Sequence, residues 1–183
     1  MPKLLVLFQT RSPDVIALAE AAADGARSVR FAEVDLRGLE PFDAGTRADA
    51  NEAFGRIHRT LDHADDIAAY DGCILALSAA GDATATLEAT LRSLGGSLVN
   101  KVGSVVTTAE GAGRGPVLWS ALTPMADRGM ILVPTPFTGT DASVTEQARH
   151  VGKRVAEVIG WVTHARSHHH QEPHRHDHHS HHH

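Results

Sequence analysis

A chain of 183 residues with 42% hydrophobic side chains is long enough to bury one core and too short to bury two comfortably. Its formal charge of −5 and 4% aromatic content exclude the basic, aromatic-studded surface of a nucleic-acid binder. A single cysteine, Cys73, excludes an intramolecular disulfide and fits a reducing, cytoplasmic compartment, and no apolar stretch is long enough to span a bilayer.

The opening MPKLLVLFQTRSP has one lysine, a short apolar run and no small-residue cleavage site, so it reads as a core strand over 4–8 rather than a secretory signal. A polar loop over 9–14 leads into an alanine-rich helix over 13–26, whose inward stripe is Val15, Ile16, Leu18, Ala19, Ala22 and Ala26. Further apolar runs at 29–36, 72–77, 102–107 and 130–133 read as strands, and helices are expected between and after them at 47–69, 83–94, 116–128 and 143–162. The helix over 47–69 is strongly charged. His58 and His63 are five residues apart on it and do not share a face, so they read as part of a solvated surface rather than as metal ligands. The last helix carries the stripe Val144, Ala148, Val151, Val155 and Ile159. Cys73, inside an apolar run, reads as a packed thiol.

From His168 onward ten of sixteen residues are histidine: His168, His169, His170, His174, His176, His178, His179, His181, His182 and His183. Such a stretch builds no core, so 1–163 is expected to form the domain and 164–183 a disordered tail. A purification tag is usually an uninterrupted run, whereas this tail never exceeds three consecutive histidines and reads as native. Its imidazoles suit Ni²⁺, Zn²⁺, Cu²⁺ or Co²⁺ without the fixed spacing of a structural zinc site.

Strict alternation of five strands with helices predicts an α/β fold: a doubly wound, five-stranded parallel sheet of order 2-1-3-4-5, helices on both faces. Ligands of such sheets bind beyond the carboxyl ends of the strands, which here places a site at the loops over 9–14, 78–83 and 107–115. The first loop offers Thr10, Arg11 and Ser12 for an anion at a helix N-terminus. However, Pro13 lacks an N–H and Asp14 adds a negative charge. The third, Gly111-Ala112-Gly113-Arg114-Gly115-Pro116, permits close backbone approach and supplies a guanidinium. Its G-x-G-x-G spacing is not the dinucleotide fingerprint, and a flexible loop before a helix accounts for it equally well.

Several segments together resemble the flavodoxin-like NAD(P)H:quinone oxidoreductases of the tryptophan-repressor-binding-protein type, relatives of the NADPH-dependent FMN reductases. They are Lys3-Leu4-Leu5-Val6-Leu7 through Ala23-Asp24-Gly25-Ala26, Tyr70-Asp71-Gly72, 91–96, 107–115, Gly129 to Pro134, and Ala148-Arg149 with Gly152 and Val155-Ala156. The resemblance implies a flavodoxin-like fold, FMN as cofactor, NAD(P)H and quinone as substrates, and a homodimer. It also implies cofactor contacts at Thr10, Arg11, Ser12, Ser78, Gly81, Thr107, Thr108, Gly111, Gly113 and Arg114. Departures from the family pattern are specific. Pro13 and Asp14 replace a Gly-His or Gly-Asn pair, Ser78-Ala79-Ala80-Gly81-Asp82 replaces Pro-Thr-Arg-Phe-Gly, Glu110 adds charge, and the insertion after the last strand shrinks to 135–142. No catalytic acid or base is assigned, because the family's candidates lie in that insertion. Losing two or three charge-assisted hydrogen bonds weakens flavin binding by about a thousandfold, a loss that Arg11 and Arg114 are placed to offset. The alternative is a non-catalytic flavodoxin-like subunit that binds a protein partner, with a metal-binding tail.

Overall fold

The computed structural model describes residues 1–8, 12–38, 59–60, 67, 69–79, 97–135 and 142–169. In chain order the elements are β1 (Lys3–Phe8), α1 (Pro13–Arg27), β2 (Glu33–Gly38), β3 (Arg59–Thr60), β4 (Gly72–Leu77), β5 (Val102–Thr107), a 3₁₀ turn (Gly111–Gly113), α2 (Arg114–Ala126), β6 (Ile131–Leu132) and α3 (Val144–His169). The strands form one parallel sheet of order β3-β2-β1-β4-β5-β6, with Leu4 opposite Val34 and Gly72, and Ile74 opposite Ser104. Without the short edge strand β3, this is the expected five-stranded order.

Burial explains why the central strands are unbroken apolar runs: every residue of β4 and β5, and all of β1 after Lys3, is buried. Alternate side chains enter two cores. Leu4, Val6, Phe8, Ile74, Ala76 and Val106 meet α1 and α3 on one face. Leu5, Leu7, Cys73, Leu75, Leu77 and Val105 meet Leu118, Ala121, Leu122 and Met125 of α2 on the other. The inward stripe of α1 is buried throughout; that of α3 is buried at Ala148, Val151, Val155 and Ile159, with Val144 partly so. α1 and α3 come close enough that a Cβ on Gly25 would lie 1.9 Å from the Arg149 carbonyl oxygen, and one on Gly152 would lie 1.8 Å from that of Ala22.

Three boundaries differ from the sequence reading. The second strand starts at Glu33 rather than Val29, because Val29 and Ala32 close a turn after α1 in which Phe31 takes φ 67°. Arg59–Thr60, expected inside a helix over 47–69, pairs instead with Arg37 and Gly38 of β2. Gly55 and β-branched Thr60 weaken a helix there, while the open edge of β2 offers backbone partners. Finally, α3 runs to His169 and takes in 164–169 of the expected tail. Ala165 and Arg166 favour helix, no proline intervenes before Pro173, and the Arg166 guanidinium donates to the Asn100 carbonyl. The helix expected over 83–94 lies outside the described residues.

Candidate functional site

The strand order reverses between β1 and β4, so the crevice of this sheet opens at their carboxyl ends, beside that of β5. Of the first loop, Thr10 and Arg11 lie outside the described residues. Ser12 is the N-cap of α1 in extended conformation. Its carbonyl accepts from the Val15 and Ile16 N–H groups at 3.1 Å, and its hydroxyl makes no capping bond. Pro13 occupies the first helical position and Asp14 the first turn, as read from the sequence. With Val15 already bonded and Pro13 lacking a donor, the backbone at this helix start offers an anion chiefly the Asp14 N–H.

The loops after β4 and β5 are joined to each other. The Ala79 N–H donates to Thr108 Oγ1 at 3.0 Å, and the Thr108 N–H donates to the Leu77 carbonyl at 3.2 Å. Ser78 and Thr108 are half-buried at this junction. Thr108 Oγ1 accepts there and keeps its own proton for donation. Thr107 is different: it is 1% exposed and its Oγ1 accepts from the Ala109 N–H at 3.2 Å, so it shapes the turn from inside. Gly81 lies outside the described residues.

Beyond Thr108 the chain passes Glu110, exposed, into the 3₁₀ turn and α2. Gly111, at φ 56°, needs glycine for its backbone. Gly113 does not, at φ −74° and ψ −17°. Cβ atoms built on Gly113 and Gly115 would meet nothing within 4 Å, so packing does not demand glycine at either position. Arg114, the first residue of α2, donates through Nη1 to Gln147 Oε1 on α3, and Gln147 Nε2 in turn donates to the Ala142 carbonyl at 2.7 Å. The Arg114 Nε is buried and has no acceptor among the described residues. Burial pulls this guanidinium below its usual value, opposed by the attraction of Glu110. Gln147 was not picked out from the sequence. The signal for it is the capping box just before it, in which the Glu146 N–H donates to Ser143 Oγ at 3.2 Å and the Ser143 N–H to Glu146 Oε2 at 3.0 Å.

The structure thus brings together Ser78, Thr108, Gly111, Gly113 and Arg114 around the ends of β4 and β5, and sets Ser12 at the end of β1. Of the expected metal ligands, His168 and His169 fall on the last turn of α3. His170, His174, His176, His178, His179, His181, His182 and His183 lie outside the described residues. Among the described residues there is no cluster of three or more His, Cys, Asp or Glu able to hold a metal, and no helix long and apolar enough to cross a membrane.

Flavodoxin 2 from Bacillus cereus, in its oxidised form, shares the fold at a TM-score of 0.57, with 16% identity over 85% of this chain and 99% of that one. No family model matches the sequence. An NAD(P)H dehydrogenase (quinone) from Syntrophobacter fumaroxidans is 29% identical over 177 residues, 90% of this chain and 87% of the relative. One of the same name from Acidithiobacillus ferrooxidans is 34% identical over 152 residues, 77% of this chain and 74% of the relative. At that identity and coverage, on a flavodoxin-like sheet whose crevice keeps a glycine loop and an arginine, the chain belongs to the NAD(P)H dehydrogenase (quinone) family.

Proposed function

We propose that this protein is an FMN-dependent NAD(P)H:quinone oxidoreductase of the cytoplasm, holding the flavin along the carboxyl edge of β1, β4 and β5. The observation that carries the reading is the open glycine cradle. Gly113 and Gly115 are required neither by packing nor, at Gly113, by backbone angle, but glycine there lets a flat ligand approach the main chain. The buried Nε of Arg114, which has no acceptor among the described residues, fits the same purpose, since such a donor at a crevice calls for an acceptor. The residues therefore fit FMN.

In this reading Arg114 and the Thr108 hydroxyl would hold the flavin, each as a hydrogen-bond donor. The Gln147 bridge holds the Arg114 side chain so that little freedom is lost on binding. Ser12 at the start of α1 would face the phosphate end, and the sequence offers Thr10 and Arg11 in the same loop, outside the described residues, as a hydroxyl and a charge where Pro13 has no donor. When bound, FMN would supply the redox chemistry between the nicotinamide hydride and the quinone. The net reaction converts NAD(P)H, a proton and quinone to NAD(P)⁺ and hydroquinone. The chain's own part is binding, orientation and exclusion of water, and no side chain is assigned a proton transfer.

The second reading, a non-catalytic binding subunit, is favoured by one observation: the start of α1 combines Pro13, a bonded Val15 amide and the negative Asp14. Anaerobic mixing of the FMN-loaded protein with NADH or NADPH separates the two. Bleaching of the visible flavin band, reversed by benzoquinone, is expected. A flavin that stays oxidised in the presence of both nucleotides would support the binding subunit.

A further inference from the structure

We propose that the groove between the outer edge of β6 and α3 is a binding site for a small apolar carboxylate, separate from the flavin crevice. The sheet ends at β6, which pairs with β5 at only two positions. Between this edge and α3 lies a groove of about 500 Å³, a size that suits a small ligand. Residues 131–134 line one side of it, and Val151, Val158, His150 and Arg154 of α3 line the other. His150, Arg154 and Val158 follow one another at intervals of four, so one flank of the helix carries all three, next to the buried stripe. None of these residues belongs to the loops after β1, β4 or β5, and the inference does not rest on the flavin reading.

Charge and shape choose the occupant. The described lining is apolar except for an imidazole and a guanidinium, and it contains no carboxylate, although the chain as a whole carries a charge of −5. An anion with an apolar body complements both features. Arg154 is exposed, and its guanidinium lies over the Trp161 ring, 5.0 Å from the centroid, with no hydrogen bond or ion pair among the described residues. Stacking occupies the flat face of a guanidinium and leaves its edge N–H groups for a carboxylate. An added β-strand fits poorly. The Ile131 and Val133 N–H groups donate inward, to the Lys101 and Gly103 carbonyls at 2.8 and 2.9 Å, and Pro134 has no N–H, so over 131–134 the outer edge offers only the Leu132 N–H as a ladder donor. A two-fold pairing of copies through this groove sets one concave surface against another and brings like charges together.

Trp161, against Arg154, reports occupancy. The chain has two tryptophans, so full-length protein carrying Trp119→Phe reads Trp161 alone. Titration of that protein with phenylbutyrate is expected to change the emission saturably, with one equivalent bound by calorimetry. Phenylbutyramide, the same body without the charge, is expected to bind about tenfold or more weakly, as loss of a charge-assisted hydrogen bond implies. Arg154→Ala, followed by calorimetry, is expected to bring the acid down to the affinity of the amide, and Arg154→Lys to retain part of the difference. Ile131→Asp sets a carboxylate on the groove at a residue already 37% exposed and is expected to abolish binding with unchanged helical circular dichroism. Added FMN is expected to leave the affinity for the acid unchanged. No saturable binding, equal affinity for acid and amide, an affinity unaltered by Arg154→Ala, or competition by FMN would each overturn the proposal. A dimer that Ile131→Asp disperses, without binding of the acid, would overturn it too and give the groove to a second copy of the chain.

Discussion

Cys73 sits on β4, fully enclosed between the sheet and α2, and burial pushes its thiol up to about 12, with Lys101 opposing. Folded and unfolded chains both keep the proton below about pH 9; between about 9 and 12 only the folded chain keeps it. Stability from this group is therefore complete below pH 9 and falls as pH rises towards 12. Native protein at pH 8 is expected to resist iodoacetamide, reacting only as fast as it unfolds; rapid labelling without unfolding would contradict the burial. That Cys73 packs as a buried thiol was legible in its apolar run. Thr107 was not legible in the same way. The family resemblance implies a cofactor contact for its hydroxyl, which here accepts from the amide two residues on, and sequence does not say which way a threonine at a strand end turns. Thr108, next to it, faces the junction of two loops. Arg114 was legible as a cation beside glycines, but its Gln147 anchor comes from a helix 33 residues away, where the Ser143–Glu146 capping box marks a helix start without indicating that the next residue meets Arg114.

At the scale of elements, the contact between α1 and α3 depends on Gly25 and Gly152, where each helix backbone fills the space a side chain would take on the other. Gly152→Ala would force the Cβ against the Ala22 carbonyl, and the helices must part or shift. A loss of about 3 kcal/mol is expected, seen as a melting temperature lower by roughly 10 °C; a change below about 2 °C would show that the pair is loosely packed. These glycines matched the family resemblance without revealing their purpose, since close helix approach is a property of two segments together. The fully buried strands β1, β4 and β5 were legible because burial on both faces leaves only apolar choices. Edges were less so. β2 alternates partly exposed side chains, and β3 is two residues long within a charged segment that carries helical spacing. The extension of α3 was missed because a histidine-rich composition was read as disorder, although nothing in 163–169 stops a helix.

For the whole molecule, the doubly wound sheet determines where a ligand goes and leaves its identity to the loops. The two halves of the crevice differ. The ends of β4 and β5 carry an open glycine cradle, a half-buried threonine and an arginine whose Nε has no acceptor among the described residues, while the start of α1 has proline, without an N–H, at its first position and a carboxylate in its first turn. An account in which the first half compensates for the second places flavin affinity on Arg114. The most direct measurement is titration of FMN with the full-length protein and with Arg114→Ala, following flavin fluorescence. The expected result is micromolar or tighter binding, weakened about 10- to 100-fold by the substitution, as loss of a charge-assisted hydrogen bond implies. No binding at hundreds of micromolar, or an affinity unchanged in Arg114→Ala, would contradict the account.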